Sequence, residues 1–269
     1  MNIVLNEEEW VKEMIRTRSL GKKPFDTLRR VARYYLDNNY PRQSVRKMLD
    51  SFIIQCDPAA SLPKWSNIAD GALDKAIKTP ALRIEYIPIT GPELNRINSL
   101  NGKQVKRLAF TLLCLSKYWD VVNNTSGHWV NNKDSEIMHM ANINTSIKRQ
   151  SIMYRILNEN GLVQFSKKVN NTNVRVCFVE DGDEVLQIRD YRNLGYQYMR
   201  SCGEPFFECQ NCGITTKYNH PTHGHKQIYC KDCAVEVAIR QRVNSVMKIR
   251  NKNKERRGID PECAESNAS

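Results

Sequence analysis

Cys209 and Cys212 form one CxxC pair and Cys230 and Cys233 form another, with 17 residues between the pairs. A two-residue gap lets both thiolates of a pair converge on one ion, and two such pairs supply the four ligands of a tetrahedral zinc site. The spacing predicts a zinc ribbon over about Phe206 to Ala234, with these four cysteines holding a structural Zn2+. Gly213 suits the tight turn after the first pair, and Gln227-Ile228-Tyr229 reads as a strand leading into the second. Four thiolates close the coordination shell, so the ion is expected to be a clip and the chain not an enzyme.

His220, His223 and His225 lie between the pairs. They offer a replacement ligand or a second metal site, but the ion is already satisfied by sulfur. Nucleases of the HNH type also carry paired CxxC knuckles around a histidine-containing metal site. Here no aspartate or glutamate accompanies the histidines between the pairs, which weighs against that chemistry. The acidic run from Glu180 to Glu184 reads as a solvated loop rather than a magnesium site.

The other five of the nine cysteines are scattered. An odd count with two CxxC pairs points to metal ligation in a reducing compartment rather than to disulfides. The start of the chain has no basic segment followed by an apolar run, and no stretch approaches the roughly 18 apolar residues of a membrane helix. The expected location is the cytoplasm, away from membranes.

The chain carries a formal charge of +12 over 269 residues, which makes a polyanionic partner plausible. Between Ile239 and Arg257 there are eight basic residues and a single acid, Glu255. This helix, expected over Val235 to about Lys254, would present Arg240, Arg242, Lys248, Arg250, Lys252 and Lys254 to phosphates. Its apolar set, Ala238, Val243, Val246 and Ile249, is thin.

The fold class expected is α+β and mostly helical, in successive parts. Residues 1–100 read as a helical module, with helices from Phe25 to Asn38, from Arg42 to Gln55 and after Pro63. A strand-like run follows at Leu82 to Ile87, and Thr90-Gly91-Pro92-Glu93 opens a helix as a capping box. Residues 101–182 read as a winged-helix-like domain: a long helix from Lys103, a polar loop, a short helix capped by Asn132, then a helix from Thr145 or Ser146 to Asn160-Gly161. Strands at Leu162 to Lys167 and Val174 to Val179 complete it, with the hairpin tip at Asn170 to Asn173. Residues 183–205 read as a linker, 206–257 as the zinc ribbon with its basic helix, and 258–269 as a disordered tail.

In a helix-turn-helix the second helix enters the major groove. That helix here would bury Ile152, Met153, Ile156 and Leu157 and present Lys148, Arg149, Gln150 and Arg155. Cationic side chains there reach phosphates or guanine, and Gln150 is suited to adenine. Lys167 and Lys168 on the wing would position the backbone. Tyr218, Tyr229 and the linker tyrosines offer stacking for single-stranded bases, although packing is their simpler role.

Three stretches carry a family resemblance: Lys106-Arg-Leu-Ala-Phe-Thr-Leu-Leu-Cys-Leu, Ser166-Lys-Lys-Val and Gln227-Ile-Tyr-Cys-Lys-Asp-Cys-Ala. On these the sequence resembles uncharacterised proteins of phages and mobile elements of low-GC Gram-positive bacteria. The resemblance implies a phage context with two sorts of role: regulating or replicating DNA, or countering a host defence such as a CRISPR effector. The leading expectation is a non-enzymatic protein that binds nucleic acid, with duplex DNA ahead of RNA. The alternative is an anti-defence protein that binds a host nucleoprotein complex.

Overall fold

A computed structural model describes residues 3–167, 173–218 and 226–256, the last four of these as backbone. The fold is α+β, with ten helices and three small sheets among the described residues. Two compact units divide it, Met1–Tyr191 and Arg192–Ser269.

The first unit begins with four helices: α1 (Glu7–Thr17), α2 (Pro24–Asp37), α3 (Arg42–Cys56) and α4 (Leu62–Lys78). Leu28, Val31 and Ala32 of α2 meet Val45, Leu49 and Ile53 of α3 and Ala72, Leu73 and Ala76 of α4 in one core. The helix α1 precedes any that the apolar spacing marked. The Asn6 side chain caps it by accepting from the Glu8 and Glu9 amides, and three glutamates in its first turn suit the helix dipole. Glu7 is buried, accepts from Leu82 N at 3.1 Å and pairs with Arg29 at 2.8 Å.

A strand β1 follows at Ile87–Thr90, beginning where the expected run of Leu82 to Ile87 ends. The capping box at Thr90 and Glu93 is present and opens α5 (Gly91–Asn98). Next, α6 (Lys103–Asn123) is buried on every side from Leu108 to Ser116, which makes it the centre of this part.

The polar loop expected after α6 contains a two-residue strand, β2 (Trp129–Val130). Then come α7 (Asp134–Met140), α8 (Ile147–Glu159), β3 (Val163–Phe165) and β4 (Val174–Val176). Asn132 does not cap α7; Lys133 holds the cap position, while Asn132 accepts from Trp119 Nε1 at 2.7 Å. The three strands form one antiparallel sheet in the order β2-β4-β3.

A last strand, β5 (Glu184–Ile188), pairs antiparallel with β1. The acidic run is therefore not a free loop. Glu184 enters the strand, Glu180 pairs with Arg96 at 2.8 Å, and the Glu180 amide donates to Glu93 at 3.2 Å. Tyr191 closes the unit, fully buried, its hydroxyl donating to Cys114 O at 2.6 Å.

The second unit holds α9 (Leu194–Ser201), the hairpin β6 (Phe206–Glu208) and β7 (Thr215–Lys217), and α10 (Lys231–Arg256). The stretch 183–205, expected to link, thus carries a strand of the first unit and a helix of the second. That helix packs on the hairpin: Tyr196 lies against Phe206 with ring centroids 4.8 Å apart, and Asn193 donates to Thr215 O at 2.9 Å. Residues 168–172, which include Asn170, Asn171 and Thr172 of the expected hairpin tip, as well as His220, His223, His225 and residues 257–269, lie outside the described residues.

Candidate metal centre

The four cysteines converge. Their sulfurs all lie within 4.8 Å of one another. Metal–sulfur bonds of about 2.3 Å arranged tetrahedrally put their sulfurs about 3.8 Å apart. The Cys212 and Cys230 sulfurs are 3.8 Å apart, which fits that edge and is far from a disulfide bond. The donor set can therefore hold one metal ion.

Local structure explains the convergence. Gly213 follows the first knuckle with φ +73, a conformation that costs glycine little. Its amide donates to Cys209 O at 2.8 Å, and the Cys209 amide donates to Ile214 O at 3.0 Å, so the chain turns back around the sulfur. The second pair rides on the start of α10, with Ala234 N donating to Cys230 O. Gln210 N donates to Ile228 O at 2.9 Å and joins the two knuckles. The segment Gln227-Ile228-Tyr229, expected as a strand leading into the second knuckle, is not a strand.

Donors aim at the sulfurs as well. Cys230 N donates to Cys209 Sγ at 3.2 Å, and Asn211 Nδ2 donates to Cys233 Sγ at 3.3 Å. Burial raises the Cys209 thiol, but the amides of Cys230, Cys212 and Asn211 outweigh it and hold the group at about 6. Burial pushes Cys212 up to about 12. Four sulfurs this close do not all ionise unaided, so a cation is needed to keep every one a thiolate. Asn211 and the amide donors are the functional groups that spacing alone did not mark. Arg192, donating to Cys212 O at 2.6 Å, is a third.

The candidate cationic residues fall on two helices and a strand end. On α8, Lys148 and Arg149 are exposed, and their side chains make no hydrogen bond or ion pair among the described residues. Gln150 is half-buried, its amide donating to Thr145 O at 3.1 Å, and Arg155 pairs with Glu159 at 2.7 Å. The buried side of α8 is Met153, Tyr154 and Leu157. Ile152, expected inside, is 48% exposed, because the helix is rotated so that Tyr154 enters the core and its hydroxyl reaches Asp134. Lys167 is exposed just past β3, while Lys168 lies outside the described residues.

On α10, Arg240, Arg242, Lys248, Arg250 and Lys252 are all exposed, and Lys254 is on the same helix. Every residue from Ala238 to Lys252 is exposed, the aliphatic ones included. Of the tyrosines considered for stacking, Tyr229 is half-buried and the others are engaged within the fold. Tyr198 is 2% exposed, and Tyr218 meets Phe207 edge-on and accepts from Gln227 N at 2.9 Å. No helix among the described residues is long and apolar enough to cross a membrane. Searches against protein-family models, curated proteins and solved structures found no match.

Proposed function

We propose that this chain is a non-enzymatic nucleic-acid-binding protein that grips duplex DNA through a winged helix-turn-helix and carries a structural zinc ion. The observation that carries the reading is the connectivity of α6, β2, α7, α8, β3 and β4 with sheet order β2-β4-β3. A winged helix has this order of elements, and it offers its second helix to the major groove. In this chain that helix is α8, whose exposed Lys148 and Arg149 are free to meet phosphates or guanine. Exposed cations along α10 add phosphate contacts without sequence preference. Zinc is the ion that suits four thiolates at tetrahedral spacing, and its closed shell makes it a clip.

Gel-shift titrations with duplex DNA, single-stranded DNA and RNA over a salt series test this reading. Duplex binding that weakens steeply with salt supports it. Absence of binding to all three at about 50 mM salt refutes it. One observation favours a second reading: Ile147 is 80% exposed and Ile152 48% exposed on α8. Two bare aliphatics on that face suit a protein partner, such as a host nucleoprotein effector. In that case Ile147→Ala abolishes partner binding and leaves any DNA binding intact.

A further inference from the structure

The three-stranded sheet of the first unit has two unlike faces. Val130, Val163, Val174 and Val176 are buried on the face covered by α6 and α8. The other face carries a straight row across all three strands. Trp129 of β2 pairs with Arg175 of β4, and Arg175 pairs with Gln164 of β3. All three residues are exposed, Trp129 by 38%. None of the three strands contains an acidic residue, and Lys167 is exposed just beyond β3.

The indole of Trp129 is set in place. A Cβ on Gly127 would lie 3.0 Å from Trp129 Cδ1 and 3.6 Å from Nε1, so the ring rests on a backbone without an intervening side chain. Between them His128 has φ +57, and its amide donates to Asp120 Oδ1 at 3.0 Å. Its ring also pairs with Asp120. The turn that presents Trp129 is thus tied to α6. Close packing of Cδ1 and Nε1 on Gly127 restricts the ring while 38% of the residue stays exposed, so little side-chain entropy remains to be lost on binding.

We propose that the row Trp129, Arg175 and Gln164 is a stacking surface for single-stranded nucleic acid. Trp129 stacks on an unpaired base, and Arg175, with Lys167 beyond it, meets the strand's phosphates. Stacking tolerates any base because every base has a π-face, and cationic neighbours track the backbone. An apolar ring beside a cation, on strands that contain no acidic residue, is complementary to a polyanion with flat bases. The proposal rests on the nucleic-acid reading above and adds to it a second surface, for unpaired strand, apart from α8.

The test uses the whole zinc-loaded chain and fluorescence anisotropy with a labelled oligothymidine and a labelled duplex. Trp129→Ala is expected to weaken oligothymidine binding about tenfold, with Trp129→Phe keeping most of it and duplex affinity unchanged. Arg175→Ala is expected to reduce the salt slope for the strand by about 1. Strand binding unchanged in Trp129→Ala overturns the stacking surface alone, since duplex binding that depends on Lys148 and Arg149 would stand. A wild-type protein that binds neither strand nor duplex overturns both readings. Should Trp129→Ala fail to fold, Arg175→Ala decides: an unchanged strand affinity and salt slope overturn the proposal.

Discussion

Lys117 Nζ lies 2.8 Å from both carboxylate oxygens of Glu93, and the Glu93 side chain is fully buried. The same carboxylate accepts from Thr90 N at 2.8 Å and Glu180 N at 3.2 Å. It therefore ties β1, α5, α6 and the segment before β5 at one point. Removing one partner of such a pair leaves a buried charge without compensation. Glu93→Ala should lower stability by about 3–5 kcal/mol. Glu93→Gln, which keeps an acceptor for the backbone amides, should cost less. Urea unfolding of the three proteins checks the order.

Metal removal should unfold the second unit and spare the first. All four tryptophans, at 10, 65, 119 and 129, lie before Arg192, so tryptophan emission reports on the first unit alone. Chelation or Cys212→Ser is expected to lower helical circular dichroism while that emission stays constant. Elemental analysis should find one metal per chain before treatment. Because Cys212 stands near 12 without a cation, ligation releases its proton, and loading should weaken as pH falls. A loading curve indifferent to pH would speak against thiolate ligation.

Replacing Lys148 and Arg149 together with alanine should weaken duplex binding and lower its salt slope by about 2. Truncation after Ala238, which removes most of α10, should weaken binding to duplex and strand alike. If only the truncation has an effect, α8 is not the contact helix. Gel shifts at several salt concentrations separate these outcomes.

Thiol reactivity should sort the cysteines by burial. Cys177 and Cys202 are exposed, whereas Cys114 is fully buried and burial pushes its thiol up. Labelling of the metal-loaded protein, read by peptide mapping, should mark Cys177 and Cys202 quickly and Cys114 only after unfolding. Chelation should then make Cys209, Cys212, Cys230 and Cys233 reactive together.

Much of this was legible in local chemistry. The CxxC pairs, the Thr90–Glu93 box and the stop at Asn160-Gly161 each act over a few residues, and each stands where the sequence puts it. What escaped reading was set by distant pairing. With two residues, β2 is too short for any periodicity, and β5 reads as part of a linker until β1 is placed beside it. Helical phase misled as well, since Ile152 is the more apolar residue, yet Tyr154 is the one buried, with its hydroxyl donating to Asp134. For α1 the signal was present in full, with Asn6 and three glutamates as a cap and Trp10, Val11, Met14 and Ile15 as an apolar stripe that packs on the core.

The long final helix has one more consequence. At 26 residues it extends about 39 Å, yet the knuckle cysteines engage only its first turn. Beyond Val237 its side chains through Lys252 are all exposed, so packing sets no register for it. Whole turns can be gained or lost there without a core to disrupt, which makes the length of this arm an adjustable dimension.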